Sequence, residues 1–106
     1  MSKNTVLIPY HHRIDLLLPL LRHLKDVPVL VVDDGPNLSD WNQWSEHHPT
    51  VQCLRSEGSS GFTNAVNRGL EYLESRGVES VLVLNDDAWI DADAVRDMFN
   101  RMGRDE

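Results

Sequence analysis

Four short apolar runs punctuate the chain: Thr5 to Ile8, Val29 to Val32, Val51 to Leu54 and Val81 to Leu84. Short runs rich in Val, Ile and Leu read as strands covered on both faces. Between and after them the apolar spacing becomes helical. From Asp15 to Leu24 the leucines crowd at 16, 17, 18, 20, 21 and 24, enough to make a helix apolar on more than one face. Pro19 interrupts that run and is tolerable only within the first helical turn or at a kink. Phe62, Ala65, Val66, Leu70 and Leu73 mark a second helix, which Gly77 stops. Val95, Met98, Phe99 and Met102 mark a last amphipathic helix ending near Gly103. A further short helix is expected over 39–48, with Trp41 and Trp44 on one side.

Strands alternating with helices imply a parallel sheet joined by right-handed crossovers. The expected fold is therefore α/β: a three-layer α/β/α, Rossmann-like arrangement around a four-stranded parallel sheet. No repeat, linker or low-complexity stretch divides the chain, so residues 1–106 are expected to form a single domain.

Composition narrows the function classes. The formal charge is −7 and the pI near 5.1, which removes the basic footprint of a nucleic-acid binder. Cys53 is the sole cysteine, so neither an internal disulfide nor a cysteine-based zinc site is available; it reads as a small core residue. No apolar stretch is long enough for a membrane span, and Pro9, Tyr10 and two histidines break any signal-like start. A cytoplasmic location is the expectation.

The candidate chemistry lies at the ends of the strands. Pro9-Tyr10, Asp33-Asp34-Gly35 and Asn85-Asp86-Asp87 each follow an apolar run. In an open parallel sheet these ends share one edge, which is where ligands bind. Carboxylates gathered there repel one another unless a cation sits between them, and a divalent ion carrying a diphosphate meets that need. Asp91 is better placed to cap the next helix. His11 and His12 read as solvated loop residues, and Trp41, Trp44 and Trp89 as packing residues. No G-x-G-x-x-G follows the first strand, and no Gly-Lys-Ser/Thr follows the glycine-rich Ser56–Gly61 stretch, so neither a dinucleotide fingerprint nor a P-loop is present. That stretch can still offer backbone N–H groups at a helix start. Phosphorelay receiver domains, also small parallel α/β units, place their acidic pair after the first strand. Here it follows the second, and the late lysine of those domains is missing.

In their order along the chain, Val6-Leu-Ile-Pro-Tyr-His-His-Arg13 with its leucine-rich helix, Val31-Val-Asp-Asp-Gly-Pro36, Ser60-Gly-Phe-Thr-Asn-Ala-Val-Asn-Arg-Gly-Leu70 and Leu84-Asn-Asp-Asp87 resemble the family 2 glycosyltransferases of the GT-A type. The resemblance covers nearly the whole chain, and it is the four motifs together that are specific. It implies the strand order 3-2-1-4 and a site for a nucleotide-diphospho-sugar, with UDP- or dTDP-sugars favoured. Pro9 and Tyr10 would lie against the base. Asp34, with Asp33, would accept hydrogen bonds from base or ribose, and Asn85 or Asp86 would face the ribose. Asn67 and Gly69 are retained in the helix motif, and Gly61 and Asn67 are counted with the nucleotide-binding residues. Asp87, last in the D-x-D-like motif, would hold Mg²⁺ or Mn²⁺ on the diphosphate. Two positions depart from the family pattern: its arginine before the asparagine is Val66, and its serine after Asp-Asp-Gly is Pro36.

In that family a second half binds the acceptor and supplies the catalytic base. No stretch here resembles it, so the catalytic base is unassigned, and the chain alone is expected to bind the donor without transferring the sugar. A homodimer or an acceptor-domain partner is expected to complete it. The alternative reading is a non-catalytic nucleotide-binding or interaction module that keeps the half-fold.

Overall fold

A computed structural model describes residues 3–11, 14–34, 50–55 and 61–104. The short helix expected over 39–48, the glycine-rich residues 56–60, and His12 with Arg13 lie outside the described residues. The described elements are β1 (Asn4–Tyr10), α1 (Ile14–His23), β2 (Val29–Asp33), β3 (Val51–Arg55), α2 (Phe62–Ser75), β4 (Ser80–Val83) and α3 (Ala92–Arg104). The strands form one sheet in the order β3-β2-β1-β4, and every neighbouring pair is parallel. This is the order and fold class expected from the sequence.

Strand alternation sorts the core into two layers. Val6, Ile8 and Tyr10 of β1 and Val29 and Val31 of β2 pack with Leu17, Leu20 and Leu21 of α1 and Val95 and Phe99 of α3. Leu7, Leu30 and Val32 point the other way, onto Ala65 and Leu73 of α2. Side chains one residue apart in a strand leave opposite faces, so each strand feeds both layers.

Strand β1 runs two residues further than the apolar pattern suggested, taking in Pro9 and Tyr10. Its alternation explains why proline is accepted there. The Val6 N–H and the Tyr10 carbonyl bond toward β2, whereas the Leu7 carbonyl bonds toward Leu84 beside β4. Pro9 shares the parity of Leu7, so its nitrogen faces the β4 side, beyond Val83 where β4 ends. No ladder donor is lost. Pro19 is a different matter. It is the sixth residue of α1, past the first turn where a proline is expected to be harmless. An interior proline costs ~3 kcal/mol. Burying Leu17, Leu20, Leu21 and Leu24 contributes about 1.5–3 kcal/mol each, which outweighs it.

Helix α2 meets the sheet along Ala65, Gly69 and Leu73, at a spacing of four. Leu70, expected on the buried face, is exposed instead. Helix α3 buries Val95 and Phe99 and exposes Met98 and Met102. The segment after β4 turns Ala88, Ile90 and Ala92 inward. Trp89, one residue out of phase with them, is 80% exposed and meets His23 edge-on at 4.9 Å, so it is not the core-packing residue expected. Among the described residues no helix is long and apolar enough to cross a membrane.

Candidate functional site

Outside the carboxyl ends of the strands lies a cavity of about 300 Å³. The end of β1 contributes Pro9, Tyr10 and His11, the end of β2 contributes Asp34, and the start of α2 contributes Phe62. The turn after β4 contributes Asn85, Asp86 and Asp87. That turn is closed by the Ala88 N–H donating to the Asn85 carbonyl at 3.0 Å. Residues separated by more than 70 positions thus meet because β1 and β4 are parallel neighbours that end on the same side.

The two adjacent aspartates at the end of β2 part company. Asp34 lines the cavity and is 5% exposed. Its Oδ2 accepts the Gly61 N–H at 2.9 Å, and its own N–H donates to the Tyr10 carbonyl at 2.8 Å. One carboxylate therefore ties β2 to the first turn of α2, where Gly61 holds φ at 87°, a value that suits glycine. Asp33 is 1% exposed, does not line the cavity, and pairs instead with Arg55 (Nη1 to Oδ2, 3.5 Å), its register partner on β3.

Cys53 lies two residues before Arg55 in β3, on the same face as Asp33. Burial, and then the nearby Asp33 charge, push its thiol up from 9.0 to about 12, while the Arg55 charge and a hydrogen bond with the Asp33 backbone pull the other way. A thiol is reactive only as thiolate. At pH 8 iodoacetamide is therefore expected to alkylate Cys53 at least a hundredfold more slowly in the folded chain than in urea. A folded-state rate within a few-fold of the urea rate would contradict this placement. The sign for stability follows. The folded thiol keeps its proton where the unfolded one loses it, so this contribution is fully present below pH 9 and is lost as pH rises toward about 12.

The remaining residues singled out in the sequence are placed as follows. Gly61 is the N-cap of α2, and its N–H is engaged by Asp34. Asn67 is an exposed residue of α2 and does not line the cavity. Val66, where the family pattern has arginine, packs against the α2 core layer. Asp91 caps α3, its Oδ1 accepting the Ala94 N–H at 2.9 Å. Two cavity residues had no site role from sequence: His11, which is an exposed residue beyond β1 as its solvated-loop reading expects, and Phe62, which was read only as one of the apolar positions of the helix. Phe62 opens α2 directly after Gly61, three residues before Ala65, the first buried position of the helix. A position ahead of the buried stripe, next to a glycine-rich stretch of sequence, is the signal that could have found it.

No Lys or Arg lines the cavity among the described residues, while three carboxylates do. Also among the described residues, no group of three or more His, Cys, Asp or Glu side chains could hold a metal ion by itself. Asp87, to which the resemblance gives the metal, would need further ligands from a bound phosphate, since Mg²⁺ is commonly held by one or two carboxylates plus substrate phosphates.

The parallel order β3-β2-β1-β4, helices on both faces and a cleft at the carboxyl edge define a Rossmann-like α/β domain, the half-fold of GT-A proteins. Within that class the chain belongs to glycosyl transferase family 2, which it matches over residues 5–106. It is similar to the low-salt glycan biosynthesis hexosyltransferase Agl10 of Haloferax volcanii, at 32% identity over 81 residues. The match takes in 76% of this chain and 26% of that protein, so the chain spans about a quarter of that relative's length.

Proposed function

We propose that this chain binds the nucleoside-diphosphate end of a sugar donor in the carboxyl-edge cavity, with UDP- or dTDP-sugars favoured, and is the donor-binding half of a glycosyltransferase. The observation that carries this reading is the meeting of Asp34, Asn85, Asp86 and Asp87 in one cavity of a family 2 chain. Asp34 accepts hydrogen bonds from the base or ribose, as an ionised carboxylate does more strongly than a neutral group. Asp33, braced by Arg55, stands behind it. Asn85 or Asp86 faces the ribose. Asp87 would hold Mg²⁺ or Mn²⁺, and a bound ion would offset the charge on the departing nucleoside diphosphate. A diphosphate entering among three carboxylates without a cation would be repelled, so binding is metal-dependent. Among the described residues no strand pairs with the outer edge of β4. An acceptor-binding half or a second copy of the chain pairs along it, since an open strand edge invites such pairing.

Calorimetry with UDP, dTDP and GDP, with and without Mn²⁺, tests this reading. UDP or dTDP is expected to bind more tightly with Mn²⁺, and Asp87→Ala to abolish the difference. The reading fails if none of the three nucleotides binds at millimolar concentration.

A further inference from the structure

Among the described residues three aromatic side chains line the cavity, Tyr10, His11 and Phe62; Tyr10 and Phe62 carry its two benzene rings, and their availability is very different. Tyr10 is only 9% exposed and belongs to the core layer under α1 and α3, with Val6 and Ile8 of the same parity. Its ring is engaged by packing, and little of it remains for a ligand. Phe62 lines the same cavity and is 57% exposed. It is also held in place: the Gly61 N–H beside it is bonded to Asp34, and the Gly61 carbonyl accepts the Ala65 N–H at 3.0 Å. The helix behind it is seated on the sheet by Ala65, Gly69 and Leu73. Phe62 thus brings to the cavity a ring that packs into neither core layer, on a backbone held by hydrogen bonds.

We infer that Phe62, rather than Tyr10, is the surface on which the base of a bound nucleotide stacks. The inference rests on the nucleotide reading of the cavity and assigns its base-recognising side. A base lying on Phe62 would present its polar edge toward Asp34, whose carboxylate bonds the residue next to Phe62. A carboxylate accepts several hydrogen bonds, so its bond to Gly61 is compatible with that role. Stacking discriminates little among bases, so Phe62 supplies affinity for a planar base while Asp34 supplies the choice among bases.

Binding of UDP and of inorganic pyrophosphate, both with Mn²⁺, is compared in the wild-type chain, Phe62→Ala, Phe62→Trp and His11→Ala. Phe62→Ala is expected to weaken UDP roughly tenfold. Pyrophosphate, which has no base, should bind Phe62→Ala as it binds wild type. Phe62→Trp should hold UDP near the wild-type level, and the melting temperature should stay put because the ring is exposed. Three results overturn the inference: UDP binding indifferent to Phe62→Ala, equal losses of UDP and pyrophosphate, or a base-dependent loss seen in His11→Ala and absent from Phe62→Ala. Wild-type chain that binds no UDP at all removes the nucleotide reading itself, and this inference with it. UDP binding indifferent to Phe62→Ala removes the inference alone.

Discussion

Replacing Gly69 by alanine is expected to lower the thermal midpoint by roughly 5–15 °C, even though alanine is the better helix former. A Cβ at Gly69 would stand 2.5 Å from Leu7 Cδ1 and 2.8 Å from Val32 Cγ2. Both partners are fully buried at the centre of the sheet. Leu7 can swing its terminal methyl only into other core atoms, and Val32 is β-branched and stiff. Overpacking of this kind costs about 1–3 kcal/mol, and relieving an interior glycine returns up to about 1 kcal/mol, so the net sign is destabilising. Gly69→Val should be worse than Gly69→Ala, because the extra methyls meet the same two side chains. Thermal denaturation followed by circular dichroism measures both variants. A Gly69→Ala midpoint at or above wild type would show that α2 can lift off the sheet cheaply.

The second large effect is expected at Asp34, where one carboxylate holds a helix and faces the cavity. Asp34→Ala removes the acceptor of the Gly61 N–H, and a hydrogen bond to a charged group is worth roughly 1.5–3 kcal/mol. The same change is expected to weaken UDP binding tenfold or more, with or without Mn²⁺, since the loss does not pass through the ion. Asp34→Asn separates the two roles. Its amide oxygen can still accept from Gly61, so most of the stability should return. Its lost charge leaves a weaker acceptor for the base, so binding should recover only in part. Urea denaturation and calorimetry on the same preparations give both quantities. An Asp34→Ala chain with wild-type stability and wild-type UDP affinity would count against the tether and the site together.

Much of this architecture was legible in local pattern. Unbroken Val, Ile and Leu runs suit a strand covered on both faces, which β1 and β2 are. The outer strands β3 and β4 are only half-buried and leave Val83 exposed. The alternation of the runs with helical spacings leaves few topologies besides a parallel sheet. The residues at the strand ends therefore belong to one edge on the sequence pattern alone. The strand order came from resemblance and not from periodicity, because a spacing pattern carries no information about which strand sits beside which.

Helical periodicity was less exact. Phe62, Ala65, Val66, Leu70 and Leu73 satisfy one apolar face on paper, yet the buried stripe is Ala65, Gly69 and Leu73. The close approach of α2 to Leu7 and Val32 rotates Leu70 outward, and hydropathy alone does not mark a glycine as the contact point. Trp89 was misplaced for a related reason: the inward positions after β4 belong to Ala88 and Ile90, which share its segment but not its parity.

The sequence by itself determined the class of fold, the strand ends that share one edge and the acidic character of those ends, since each is read from local runs of residues. The tertiary structure alone decided which of two neighbouring aspartates faces the cavity and which aromatic ring stays open there. Asp33 is turned toward Arg55 by strand pairing, and Asp34 toward Gly61 by a bond spanning 27 residues. Tyr10 is drawn into the core by strand parity, while Phe62 stays ahead of the buried stripe of its helix. Those outcomes depend on partners far along the chain, and only packing brings such partners together.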